Sequence, residues 1–466
     1  MERGEKIKAL LASATARDAV CICGWIRQKR ISKGIIFFNI NDGSCLAGIQ
    51  AVADESLTGF EELKKLAIGS SVRVRGRLAE SPGQGQKYEI QAMAVDIFGD
   101  CDEDYPLQKK KHSFEFLRSI AHLRMRTNSF GAVFRVRNAA AYAIHEFFQE
   151  NGFYYIHTPI ITGSDCEGAG EMFHVTTMPL ESIPMTRSAS GAMGVDFSQD
   201  FFRTHAGLTV SGQLEGELFA MALSEIYTFG PTFRAENSNT PRHAAEFWMI
   251  EPEMAFYDLD DNIALAQRFI KQVTARVRDR CSEDLAFFAE RIDPTLMDRL
   301  DAIDRHDFEV LTYTNAVRLL KESGKAFEFP VSWGMDLQTE HERYLTEELI
   351  RKPTFVRDYP LEIKAFYMRR SDDGRTVGAM DLLVPRIGEI IGGSQREERL
   401  DVLKEMIRSK GLDEAVYWWY IDTRRFGTAP HAGFGLGFER LLQYLTGMAN
   451  IRDVIPFPRT PGNCEF

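Results

Sequence analysis

This sequence predicts an α+β fold in two parts: a small N-terminal β-barrel, then a larger domain in which an antiparallel sheet carries packed helices. Three observations lead there. Between Val20 and Phe98, five short β-branched and apolar runs alternate with glycine turns. From Phe233 to Glu253, two segments of period-two alternation flank a polar loop. Beyond residue 104, helical and strand patterns mix without βαβα regularity and no GxGxxG follows a strand, which argues against a Rossmann core.

The five N-terminal runs are Val20–Ile26, Gly34–Ile40, Ala47–Val52, Val72–Leu78 and Tyr88–Phe98. Their spacing suits a Greek-key barrel of OB type, with Glu61–Leu66 as the helix between the third and fourth strands. Pro82-Gly83-Gln84-Gly85 lacks the lysine and hydroxyl residue of a phosphate loop and reads as a hairpin turn. An acidic run from Asp100 to Asp104 gives way to Pro106 and Lys109-Lys110-Lys111-His112. That break sets the barrel at 1–103, a hinge at 104–130 and the larger domain at 131–466. Within the last, Asp260–Arg280 and Met335–Ile350 are the clearest helices.

Composition narrows the class. The chain has 466 residues, of which 44% are hydrophobic and 26% charged, enough to bury large cores without metals or disulfides. Seven cysteines without a CxxC pair give neither a zinc framework nor a secreted disulfide scaffold. No apolar run approaches the ~18 residues that span a bilayer, and the N-terminus lacks a signal-peptide core, so a cytosolic location and no membrane partner are expected. A net charge of −11 opposes nucleic acid overall. Even so, Arg27, Lys29, Arg30 and Lys33 cluster near the N-terminus, and Arg73, Arg75 and Arg77 share one strand face.

In the alternating pair of strands, Thr232, Arg234 and Glu236 fall on one face of the first, and Phe247, Met249, Glu251 and Glu253 share a face of the second. The loop between them carries Arg242 and His243. Such a face suits a ligand that is anionic at one end, flat at another and amide-bearing or cationic at a third. Near the C-terminus, Gly433-Phe434-Gly435-Leu436-Gly437 runs into a helix whose first turn holds Arg440. The helix dipole disfavours a cation at that end, so Arg440 there implies an anionic partner.

These two segments resemble motifs 2 and 3 of the class II aminoacyl-tRNA synthetases. Gly152 to Pro159, after a helical pattern from about Phe134 to Gln149, resembles motif 1, and the order is the family's. The likeness runs nearly end to end and is to the aspartate, asparagine and lysine subgroup. It implies ATP as substrate, with Arg234 on the α-phosphate and the amino-acid carboxylate and Arg440 on the γ-phosphate. It also implies Phe247 stacked on adenine, helped by Glu236, Arg242 and His243, and Mg²⁺ on Glu389 and Asp381. Arg234 and Arg440 are thus the expected catalytic residues.

The aspartate enzymes of that subgroup hold their substrate side chain with an arginine, a lysine and an aspartate. Here Arg396 is kept, Gly216 stands for the lysine and Glu251 for the aspartate. Losing a cation and lengthening a carboxylate favours a carboxamide, which implies L-asparagine, an adenylate intermediate and transfer to tRNA(Asn) with release of AMP and diphosphate. By the same resemblance Glu167 and Gln213 meet the α-ammonium, Phe37 and Gln50 read the central anticodon uridine, and motif 1 builds a homodimer. Competing readings are an aspartate enzyme that also charges the asparagine tRNA, an amide-forming paralogue and a noncatalytic tRNA-binding descendant. Residues 180–205 lie between matched motifs and read as an insertion. His431 is expected to pack rather than react.

Overall fold

The computed structural model describes residues 3–13, 15–83, 85–166, 172–187, 191–238 and 240–466. The chain divides into two compact units, Met1–Arg135 and Val136–Phe466. In the first, β1 (Arg17–Ser32), β2 (Ile35–Asn41), β3 (Ile49–Asp54), β4 (Ser71–Glu80) and β5 (Tyr88–Gly99) close a barrel in the order β1-β2-β3-β5-β4. Closure works because β1 is long enough to pair with β4 along its first half and with β2 along its second. Ile22, Ile36, Phe38, Ile40, Ala51, Val74 and Ile90 fill the interior. A period of two sends Phe38 into that core and turns Phe37 outward, where Arg30 lies 4.7 Å over its ring.

The anticipated basic stripe on β4 is compensated. Arg73 and Arg75 both pair with Asp96, and Arg77 pairs with Asp18. The helix after β3 is a single turn, Phe60–Leu63, entered through Gly59 at φ 81°.

The second unit is built on eight strands. They are β6 (Tyr154–Tyr155), β7 (Glu225–Phe233), β8 (Glu246–Ala255), β9 (Glu309–Thr312), β10 (Thr354–Pro360), β11 (Thr376–Val384), β12 (Gly388–Gln395) and β13 (His431–Gly437). Their order is β9-β10-β11-β12-β13-β8-β7-β6. Only the two edge pairs, β6 with β7 and β9 with β10, are parallel. The four strands that floor the site, β11, β12, β13 and β8, are consecutive neighbours in that order. Helices α1 (Asn128–Glu150), α2 (Gln213–Leu223), α3 (Leu259–Arg280) and α4 (Phe438–Thr446) accompany the sheet. Phe147 and Phe148 of α1 pack on Phe269 of α3, and Phe148 stacks on Tyr227 of β7 at 4.5 Å. Asp258 and Asp261 form a capping box that starts α3 one residue before the expected Asp260.

Two expectations are corrected. The first motif 2 strand ends at Phe233, so Arg234 and Glu236 lie in the connecting loop instead of on a strand face. There Arg234 N still donates to Ala245 O at 3.0 Å, holding the loop ends together. The helix expected over Met335–Ile350 begins at Thr339, where Gln338 caps it with His341, and widens to π winding over Tyr344–Leu349. The carbonyl of Met335 is instead taken by the Tyr313 hydroxyl at 2.7 Å.

Candidate active site

The central strands floor two adjoining cavities, of about 180 and 210 Å³. Arg234, Glu236, Arg242, His243, Phe247, Glu389 and Arg440 all line the first. Gln213, Glu251, Asp381 and Arg396 line the second. Arg234, Met249, Glu389 and Gly435 belong to both. The fold thus brings together the residues anticipated for ATP and for the amino acid. Glu167 lies outside the described residues. Phe37 and Gln50 sit on β2 and β3 of the barrel, where Gln50 Nε2 donates to Glu89 at 3.0 Å.

The first cavity sets three arginines, Arg234, Arg242 and Arg440, against three carboxylates, Glu236, Glu389 and Glu439. Burial and the neighbouring Arg440 push the Arg242 guanidinium below its ordinary pKa. Burial, Arg440, Arg242 and Arg234 likewise lower His243, so at neutral pH its ring is uncharged. Arg242 donates to Ile387 O at 3.3 Å and to the Thr339 hydroxyl, and Arg440 to Glu389 O at 3.0 Å. An arriving polyanion would relieve this like-charge strain. The Arg234 guanidinium lies 5.5 Å from the Phe247 ring centroid, which turns that aromatic face toward the same space.

The second cavity is lined by charges already committed. Arg396 is 2% exposed and forks onto Glu253, with Nε to Oε2 at 3.1 Å and Nη2 to Oε1, while Nη1 donates to Ser394 Oγ at 2.8 Å. Gly433 faces Glu253 across β13 and β8. A Cβ there would fall 2.3 Å from the carboxylate, so only glycine fits. Glu251, 5% exposed, takes three neutral donors: the Ser211 hydroxyl, Gly212 N at 3.0 Å and Thr228 Oγ1 at 3.1 Å.

Between the cavities two carboxylates converge. A Cβ on Gly392 would meet Glu389 Oε1 at 3.0 Å and Asp381 Oδ1 at 3.5 Å. Lys364 Nζ holds the other Asp381 oxygen at 2.9 Å, and burial, opposed by that lysine, raises the Asp381 carboxyl. Two hard oxygen donors with room in front suit Mg²⁺, which commonly takes one or two carboxylates and fills its remaining positions with phosphate and water. No group of three or more metal-ligating side chains occurs among the described residues.

Comparison with known proteins decides the family. The family model for class II tRNA synthetases (D, K and N) matches residues 114–461, and the model for the OB-fold nucleic acid binding domain matches residues 20–97. The asparagine–tRNA ligase of Geobacter sulfurreducens is 60% identical over 461 residues, covering 99% of both chains. That of a Nostoc species is 58% identical over 463 residues, again with 99% of both covered. This chain belongs to the asparagine–tRNA ligase family of class II synthetases. Among solved structures, asparaginyl-tRNA synthetase from Pyrococcus horikoshii complexed with asparaginyl-adenylate superposes with a TM-score of 0.86 at 30% identity, covering 100% of both chains.

In family terms the three motifs are tied by one buried carboxylate that was not singled out in the sequence. Glu439 of motif 3 accepts from Arg137 Nη1 of the motif 1 helix at 2.8 Å and from Trp248 N of motif 2 at 2.9 Å. Lys364, Tyr367 and Ser211 line the second cavity and were also missed. The only hint for Ser211 was its place beside Gln213. His431 packs as expected: it is fully buried, with Nδ1–H donating to Ala429 O at 2.9 Å. Among the described residues no helix is long and apolar enough to cross a membrane.

Proposed function

We propose that the chain joins L-asparagine to tRNA(Asn) in the cytosol, with the two small substrates meeting at Arg234 and Glu389. The observation that carries this reading is that those two side chains line both cavities. A carboxylate oxygen of asparagine attacks the α-phosphorus, the bond to the diphosphate breaks, and asparaginyl-adenylate forms. The 3′-hydroxyl of the terminal tRNA adenosine then attacks the carbonyl carbon and AMP leaves.

Arg234 bridges the two anions, its planar fork suited to parallel contacts with phosphate and carboxylate. Arg440 and Arg242 take the far phosphates, Phe247 stacks on adenine, and Glu236 and neutral His243 fix the base. Asp381 and Glu389 would hold Mg²⁺, which when bound would supply charge neutralisation for the phosphates. Holding the reactants in one cleft contributes the remaining rate through positioning.

Selection falls to Glu251 and Arg396. A carboxamide offers N–H to Glu251 and a carbonyl to Arg396, whereas an aspartate would set its charge against Glu251, all of whose partners are neutral. An uncompensated buried charge costs about 3–5 kcal/mol, a few hundred-fold or more in preference. Gln213 and Glu167 meet the α-ammonium. On the barrel, outward Phe37 and Gln50 take the central anticodon base by stacking and edge contacts. A homodimer through motif 1 is supported by exposed Tyr142, Tyr154, Tyr155, Ile160 and Ile161.

Substrate-dependent ATP–diphosphate exchange tests this. Asparagine should outrun aspartate by a few hundred-fold or more. Glu251→Gln, which leaves one carbonyl for three donors, should cut asparagine exchange about a hundredfold. Near-normal exchange in that variant would overturn the assignment.

A further inference from the structure

Gln213 and Arg396 are both in reach of a carboxylate that lines neither cavity. Glu217, one turn beyond Gln213 on α2, is fully buried. Its Oε1 accepts from Gln213 Nε2 at 3.0 Å and lies 3.8 Å from Arg396 Nε. Its Oε2 accepts from Tyr420 Oη at 2.7 Å and Arg424 Nη2 at 2.8 Å, and lies 3.0 Å from His431 Nε2. Arg424 is in turn fixed by Glu397 O at 2.9 Å and Thr423 Oγ1 at 2.8 Å, so the carboxylate cannot easily turn. Burial works against its charge, but Arg424, His431 and Arg396 together hold Glu217 well below the usual carboxylate range.

An ionised carboxylate only accepts hydrogen bonds, so the amide group facing it must be –NH₂. That settles the orientation of the Gln213 amide, which its two near-isosteric ends would otherwise leave open. With Nε2 turned to Glu217, Oε1 is left for the cavity that Gln213 lines. An ammonium donates three hydrogen bonds and accepts none. A carbonyl suits it, and an amide –NH₂ repels it.

We propose that Glu217 is a positioning residue that fixes the polarity of the Gln213 amide, so that the pocket presents a carbonyl to the α-ammonium and selects α-amino acids over their desamino counterparts. This rests on the reading in which Gln213 meets the α-ammonium, and the test separates the two. Neutral glutamine at position 217 could face Gln213 with either end, and the fixed polarity would be lost.

Binding of two non-hydrolysable analogues to the full-length protein is compared by calorimetry: asparaginyl sulfamoyl-adenosine and its desamino counterpart, which lacks only the ammonium. Glu217→Gln should weaken the amino analogue about tenfold or more while the desamino analogue stays within about threefold of the parent value. Equal weakening of both, which a merely scaffolding residue would give, overturns the proposal, as does unchanged preference. Gln213→Met checks the underlying reading: if that variant keeps the parent preference, Gln213 does not meet the ammonium. If it loses the preference while Glu217→Gln keeps it, only the polarity proposal fails. Should Glu217→Gln not fold, Glu217→Asp keeps the charge but withdraws the carboxylate by about 1.5 Å. The same selective loss is then expected, and equal weakening again overturns the proposal.

Discussion

Around the first cavity Arg242 and Arg440 hold few bonds, to two carbonyls, a hydroxyl and, at 3.5 Å, the Glu389 carboxylate, and each guanidinium repels the other. Around the second, Arg396, Arg424, Glu217 and Glu253 are buried in a mutual network. One half keeps its arginines loosely tied until the nucleotide arrives. The other has its arginines paired beforehand and offers hydrogen bonds in fixed directions. The difference follows from the ligands: a triphosphate brings several charges and needs little shape discrimination, whereas asparagine differs from aspartate at one group and must be read by groups that cannot rearrange.

This contrast gives predictions of decreasing size. Arg396→Ala should have the greatest effect, because it strands Glu253 in a dry interior. Loss of about 3–5 kcal/mol of unfolding free energy is expected in urea titration, together with loss of asparagine activation. If stability were unchanged, the second half would be no more preorganised than the first. Arg440→Ala should do the reverse, raising the KM for ATP about 10- to 100-fold in diphosphate exchange while the melting temperature stays within about 2 °C. A large stability loss there would show that the ATP side also depends on prior pairing. Gly392→Ala should have the smallest effect. Its Cβ would press on Glu389 Oε1, a side-chain tip that can give way, so stability should change by less than about 1 kcal/mol. The Mg²⁺ concentration for half-maximal exchange should rise several-fold.

Much of this was legible in the chain. Short β-branched and apolar runs between glycine turns located all five barrel strands, and the alternation Phe247, Met249, Glu251, Glu253 put these four side chains along one cleft. Glu167 apart, the charged residues anticipated for the two substrates meet there because short glycine-rich strands and a conspicuous loop carry them. Less legible was whatever depends on distant partners. Glu217 and Arg424 are 207 residues apart, and Arg137 and Glu439 are 302 apart. No local pattern marks either pair. The strand end at Phe233 and the helix start at Thr339 were misjudged for the same reason, since the Ala245 and Tyr313 contacts that accompany them come from elsewhere in the chain.

By itself the sequence determined which segments become strands and helices and which chemical groups they carry, because periodicity and side-chain chemistry act over a few residues. Tertiary structure alone decided the pairing of charges. Arg396 could have faced Glu251, yet it forks onto Glu253, while Glu251 is left to hydroxyl and amide donors. That choice turns on the order β12-β13-β8 and on the bare Cα of Gly433 that lets the Glu253 carboxylate in. Electrostatic partnership in a buried site depends on distances of a few ångströms, which only the assembled sheet sets.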